Sequence, residues 1–208
     1  LILIILSLAT LINFLIIYFF KSYSLLSNFI IISSMFLIIY TLKDLIVNLK
    51  TIRKDFSRLI AHLSFGLLVF FIGLNYNFSL EKDFNLKLGE TKNFDNYSIE
   101  FKDLKLKEFE NYKAVIGEFK INNLEDNLNH YLFPEIRIYE NPSTLTYEAS
   151  IRTGLLSDYY LTMSNVDRSD YYNIKFQKKP FMVWIWISVI LISIGGFIRF
   201  IENAKKNN

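Results

Sequence analysis

Four stretches of the chain carry no Asp, Glu, Lys or Arg: Leu1 to Phe20, Ser22 to Leu42, Leu59 to Leu80 and Pro180 to Ile198, each 19 to 22 residues long. At ~1.5 Å rise per residue, a helix of about 20 residues crosses the ~30 Å hydrocarbon core of a bilayer. The pattern therefore predicts four transmembrane helices. Between the second and third stretches Leu42, Leu45, Ile46, Leu49, Ile52 and Phe56 recur at spacings of three and four, with cations mostly between them. That stripe suits either an amphipathic helix on the cytoplasmic lipid surface or a simple extension of the second transmembrane helix.

The segment 81–179 has a different period. Tyr97, Ile99 and Phe101 alternate with polar residues, then Leu104 and Leu106 alternate with Lys, and the phase slips at Asp103 as at a β-bulge. Similar runs follow at Ala114 to Ile121, Ile136 to Tyr139, Thr146 to Arg152, Asp158 to Met163 and Tyr171 to Phe176, with turn-forming Asn, Asp, Gly and Pro between them. The expected organisation is three helices over 1–80 with a basic linker at 43–58, an all-β domain over 81–179, and a last helix and tail over 180–208. The β-domain should be a small antiparallel barrel or sandwich of six to eight strands.

Charge orients this arrangement. Residues 43–58 hold Lys43, Lys50, Arg53, Lys54 and Arg58 against Asp44 and Asp55, and the tail holds Arg199, Lys205 and Lys206 against Glu202. Short loops rich in Lys and Arg stay in the cytoplasm, which puts 81–179 on the outer side. With 14 Lys plus Arg and 17 Asp plus Glu, 81–179 is itself acidic, which is compatible with that orientation without arguing for it, since long domains translocate largely regardless of charge. The composition, 52% hydrophobic with a mean hydropathy of +0.27, is too apolar for an ordinary soluble domain. Zero cysteines exclude a disulfide scaffold, a Cys zinc site, an iron–sulfur cluster and a CxxCH haem attachment. The chain opens on Leu, inside an apolar stretch, and reads as the C-terminal piece of something longer.

Candidate chemistry is sparse. His62 sits four residues after Arg58 inside the third apolar stretch, and an intramembrane imidazole needs a partner. An axial haem ligand, a proton relay and a hydrogen bond to another helix all satisfy it, as does an interfacial His snorkelling towards the headgroups. Gly66 and Gly73 fall within about 40° of His62 on a helical wheel, leaving room for a flat macrocycle or for a closely packed helix. His130 follows Asn127-Leu128-Asn129 in an apparent turn and reads as an incidental surface residue. The chain offers no HExxH, GxSxG or Gly-rich phosphate loop. Nucleic-acid binding lacks support, because the basic residues lie at the membrane boundary.

Five local strings resemble, in order, the C-terminal region of the CcmF family, the membrane haem-lyase subunits of bacterial cytochrome c maturation. They are Arg58-Leu59-Ile60-Ala61-His62-Leu63; Asn111-Tyr112-Lys113-Ala114; Pro134-Glu135-Ile136-Arg137-Ile138-Tyr139; Thr146-Tyr147-Glu148-Ala149-Ser150-Ile151-Arg152 continued by Asp158-Tyr159-Tyr160; and Lys179-Pro180 with Trp184, Trp186 and Gly195-Gly196. In one departure Tyr159 stands where Leu is usual. The resemblance runs from about residue 40 to the end and lacks the family's Trp-rich haem-handling segment, so no catalytic residue is assigned. It implies that His62 is one axial ligand of a b-type haem, as its metal-binding residue, with the second ligand outside this chain; helix geometry would then set Arg58, Gly66 and Gly73 beside that cofactor. It also implies a bacterial inner-membrane protein with a periplasmic β-domain, and as partners the haem chaperone CcmE, CcmH-type subunits, apocytochrome c, membrane lipid and quinol. In such a system haem vinyl groups are joined to CxxCH thiols, a property of the complete protein. The rival readings are a noncatalytic transporter or export-complex subunit whose β-domain binds a partner, and a sensor.

Overall fold

A computed structural model describes residues 1–20, 24–47, 52–124, 129–166 and 169–207. The chain divides into two compact units, one of Leu1–Ser79, Gly154–Ser157 and Pro180–Asn208, the other of Leu80–Thr153 and Asp158–Lys179.

The first unit is helical: α1 (Ile2–Phe20), α2 (Leu25–Val47), α3 (Ile52–Phe78) and α4 (Met182–Asn207). Leu- and Ile-rich runs without internal proline favour helix, and a helix that is apolar all round belongs in a membrane or a large core. Among the described residues three segments are long and apolar enough to cross a bilayer, Leu25–Val47, Phe56–Phe78 and Met182–Ala204, while the apolar run in α1, Ile2–Tyr18, is shorter. The stripe expected over 42–58 is divided: Leu42 to Val47 continue α2, Ile52 to Phe56 open α3, and Leu49 lies outside the described residues.

Small residues set the helix spacing. A Cβ on Gly66 would stand 2.8 Å from Ile38 Cγ1, and one on Gly73 would stand 3.0 Å from Ile31 Cγ1 and 3.1 Å from Ile30 Cγ2. The Ser27 hydroxyl donates to the Gly73 carbonyl at 3.0 Å, tying α2 to α3. On the other side of α3, a Cβ on Gly195 of α4 would meet Ala61 N at 3.1 Å and Ser57 O at 3.2 Å. Where lipid provides no hydrophobic drive between helices, such close backbone approach is what holds them together.

The second unit is a β-sandwich with ten strands among the described residues, more than the six to eight expected. One sheet has the order β1 (Leu80–Leu86), β10 (Tyr172–Pro180), β9 (Ser157–Asn165), β8 (Ser150–Arg152); the other has β2 (Thr91–Phe94), β3 (Tyr97–Glu108), β4 (Tyr112–Asn123), β6 (Glu135–Tyr139), β7 (Thr144–Glu148), with β5 (Asn129–Leu132) also paired to β4. Their inner faces share one core, with Ile99, Phe101, Phe119, Ile121 and Ile136 from one sheet and Leu161, Met163, Ile174 and Phe176 from the other, all fully buried. The bulge expected at Asp103 is present as a register shift between Phe101 and Asp103, which keeps Phe101, Leu104 and Leu106 on one face. Phe101 stacks on Phe119 with ring centroids 4.4 Å apart.

Strand β4 serves two short neighbours in succession. Its first half pairs with β6 and its second with β5, and at the junction Gly117 N donates to Pro134 O at 3.0 Å. Gly117 has no room for a side chain: a Cβ would lie 2.6 Å from the Phe119 ring and 2.9 Å from Met163 Sδ. His130 is not in a turn. It is a half-buried member of β5 opposite Ile121, with its ring 5.4 Å from that of Tyr159, because pairing with β4 overrides the turn preference of the preceding asparagines.

Candidate functional site

His62 lies near the start of the apolar part of α3, and its side chain is exposed. Its Nδ1 is 2.8 Å from the Arg58 carbonyl oxygen one turn earlier. A carbonyl only accepts, so in the neutral ring the proton of this bond is on Nδ1 and Nε2 keeps its lone pair. A ligating imidazole is commonly oriented in this way by a hydrogen bond from its other nitrogen.

Around His62 is a cleft of about 150 Å³ lined by Leu37, Tyr40, Thr41 and Asp44 of α2 and by Arg58 and Leu59 of α3. Thr41 spends its hydroxyl on the Leu37 carbonyl at 2.8 Å, and Asp44 pairs with Lys43 at 3.6 Å. The cleft thus presents one imidazole and one guanidinium beside a wall of Leu37, Tyr40, Thr41 and the Asp44 carboxylate. On the α4 side Arg58 also lines a second cleft with Ser57, Ala61, Gly195, Gly196 and Arg199. There the Ser57 hydroxyl donates to Glu202 Oε2 at 2.9 Å, and Arg199 reaches the same oxygen at 3.3 Å.

Of the four residues expected at the site, the structure brings His62 and Arg58 into one cleft. Gly66 and Gly73 face α2, where Ile38, Ile30 and Ile31 fill the space their missing side chains leave. They act on the site by fixing α3 against α2. The α2 contributors, Tyr40, Thr41 and Asp44, were not expected. Reading residues 43–58 as a linker hid that neighbourhood.

Among the described residues no group of three or more His, Cys, Asp or Glu could hold a metal ion. A free ion needs several protein ligands, whereas haem iron brings four nitrogens of its own and asks the protein for one or two axial donors. A lone imidazole with an oriented Nε2, next to a guanidinium able to face a carboxylate, fits haem and does not fit a bare metal.

In the β-unit, three of the motif strings become adjacent strands. Tyr112 pairs with Tyr139, Ala114 with Arg137 and Ile116 with Glu135, and across the next ladder Arg137 pairs with Thr146 and Glu135 with Glu148. On that face the Arg137 guanidinium donates to Glu135 at 2.8 Å and lies 5.0 Å from the centre of the Tyr112 ring. Glu135 holds Arg137 in its charged form well above the ordinary range. At the strand ends Glu108, Glu110, Tyr112, Lys113 and Glu140 line a groove of about 320 Å³, and bonds from Lys113 to Glu140 (3.2 Å) and Glu108 (3.4 Å) raise the lysine's pKa. The result is a charged and aromatic surface.

Residues 77–180, half of the chain, match the family model described as the CcmF C-terminal beta-sandwich. The cytochrome c-type biogenesis protein CcmF of Haemophilus influenzae is 28% identical over 160 residues, covering 76% of this chain and 24% of that protein. Its Escherichia coli counterpart is 24% identical over 149 residues, covering 72% and 23%. An Arabidopsis thaliana protein described as a cytochrome c biogenesis CcmF C-terminal-like mitochondrial protein is 29% identical over 113 residues, covering 54% of this chain and 24% of that one. A solved structure described as cytochrome c heme lyase CcmF superposes with a TM-score of 0.69 at 17% identity, over 93% of this chain and 33% of the other, which establishes the shared fold. The chain spans about a quarter of the length of the curated relatives it matches.

Proposed function

The chain belongs to the CcmF family, and from that premise we propose that it forms the C-terminal portion of a membrane haem-lyase subunit in cytochrome c maturation. Two roles fall to it: supplying one axial ligand to a b-type haem, and presenting a docking domain to the proteins that carry haem and apocytochrome c. The enzymatic activity is a property of the complete protein, most of which lies outside these residues.

The observation that carries the first role is the exposed His62 in an apolar span, with its Nδ1 held by the Arg58 carbonyl at 2.8 Å. The helix backbone orients the ring and leaves Nε2 with its lone pair. Arg58 would stand within reach of a propionate, and the α2 wall from Leu37 to Tyr40 would exclude water from one edge. Bound there, haem would supply an iron able to pass single electrons, with quinol as their source. The second axial ligand would come from outside this chain.

The second role rests on the charged and aromatic face of β4, β6 and β7, built from the residues that carry the family resemblance. CcmE, CcmH-type subunits and apocytochrome c are the partners the family reading supplies. Orientation follows from charge: four spans, residues 43–58 and the C-terminus in the bacterial cytoplasm, and the β-domain in the periplasm.

The deciding experiment is the reduced optical spectrum of purified complete protein carrying His62→Ala. Loss or alteration of the b-type bands, with lowered cytochrome c yield, is expected. An unchanged spectrum in well-expressed protein would return His62 to the role of an interfacial residue.

A further inference from the structure

We infer that the turn Gly154–Ser157 is a lipid anchor, in which Leu155 and Leu156 insert among phospholipid acyl chains at the membrane boundary where α4 begins. The inference does not depend on haem. It starts from two consecutive leucines that are 71% and 70% exposed on a turn that belongs to the helical unit.

Two of the turn's carbonyls already have partners. Trp184 Nε1 donates to Leu155 O at 2.9 Å, and Phe181 N donates to Leu156 O at 2.9 Å. Those carbonyls therefore need no water, and unpaired backbone groups are the main obstacle to placing an irregular segment against hydrocarbon. No residue from Thr153 to Ser157 is charged, and the charges that flank it, Arg152 and Asp158, stop on either side.

The height of the turn is set by α4. Met182–Ala204 is long and apolar enough to cross a bilayer, and Lys178 and Lys179 precede it, so its first turn marks a hydrocarbon boundary. Trp184 and Trp186 are the aromatic pair expected at such a boundary. The indole N–H of Trp184, which would otherwise face headgroups, holds the turn at that depth.

The contact is built and not incidental. A Cβ on Gly154 would lie 2.8 Å from the Ser157 carbonyl oxygen, so the tight turn requires glycine. Phe181, at φ +62°, sits in a left-handed conformation that is costly for a phenylalanine. It is held there by its bond to Leu156, by ring packing on Phe71 at 5.8 Å, and by Asn75 Nδ2 donating to Pro180 O. Strain of this kind persists where surrounding contacts over-determine it.

These 208 residues contain no cysteine, so a single introduced thiol can be labelled without ambiguity. Nitroxide labels at Leu155→Cys and Leu156→Cys, in the full chain reconstituted into phosphatidylcholine and phosphatidylglycerol vesicles, would be tested for collision with oxygen and with a water-soluble nickel chelate. Ile190→Cys on the exposed face of α4 is the lipid reference, and Leu106→Cys, 80% exposed on β3, is the aqueous one. The expected result is an oxygen-to-nickel collision ratio at 155 and 156 several-fold above that at 106 and approaching that at 190. A ratio equal to that at 106 overturns the anchor. Exclusion of both reagents from both positions also overturns it, by showing that protein and not lipid covers the turn.

Discussion

At His62 the local backbone sets the tautomer, because the Arg58 carbonyl can only accept a hydrogen bond and so leaves Nε2 with its lone pair. On the proposed haem ligation, His62→Ala should remove or alter the b-type absorption bands of the complete protein. Gly117 makes the parallel point for stability. Its α-carbon faces the Phe119 ring and Met163 in the sandwich core, so Gly117→Ala overpacks that contact. We expect a loss of about 1–3 kcal/mol, read as a lower denaturation midpoint of the β-domain. A change within error would mean that the core absorbs the methyl by shifting Met163.

Pairs of elements are held by different means in the two units. Between α2 and α3 the contact is a seam of Gly66 and Gly73 against Ile38 and Ile31, with one interhelical hydrogen bond at Ser27. Gly66→Leu should push α2 away and widen the wall behind His62. The expected outcome is reduced thermal stability in detergent, with haem occupancy of the complete protein falling as a consequence. In the β-unit, β1 and β10 are joined across their exposed face by Glu81, which bonds Lys175 and accepts from Gln177 at 2.8 Å. The Lys175 ammonium holds the Glu81 carboxyl below the usual carboxylate range. A carboxyl depressed in the folded state stabilises above its unfolded pKa and loses that contribution as pH falls through the folded value. Glu81→Gln should then lower the melting temperature of the β-domain slightly at pH 7 and lose that effect as pH falls through the carboxyl's depressed folded value, the small size reflecting an exposed, solvent-screened pair.

On the scale of the whole molecule, the Lys and Arg bias makes a claim that reporter fusions can check. A periplasm-dependent reporter should be active when fused at Asn96 and inactive at Asn208, and a cytoplasm-dependent one should behave in the opposite way. The reverse pattern would invert the orientation and put the docking face on the wrong side for periplasmic partners. The excised 81–179 segment should give a β-type circular dichroism spectrum. It should bind no stoichiometric haem, since its single histidine, His130, is packed in β5 opposite Ile121 with its ring 5.4 Å from that of Tyr159. Haem bound to this segment and lost in His130→Ala would refute that.

What the sequence determined by itself was whatever depends on near neighbours in the chain. Uncharged runs of about 20 residues identify membrane helices, alternation identifies β3, β4, β6 and β9, and the phase slip at Asp103 marks the bulge, because each is set by the period of side chains along one element. The strands β1, β2 and β5 escaped notice. Leu80–Leu86 is mostly charged or polar, and Asn129–Leu132 begins on a turn former, so both become strands only through the partner that pairs with them. The same division runs through the site. His62 was legible as a lone imidazole in an apolar run, and Arg58 as its neighbour one turn away. That Gly66 and Gly73 would be filled by isoleucines of α2, that Tyr40 and Asp44 would wall the cleft, and that Trp184 would hold Leu155 were decided by tertiary structure alone. Each is a contact between residues far apart in the chain, and a sequence period records which face of an element is apolar without recording what will cover it.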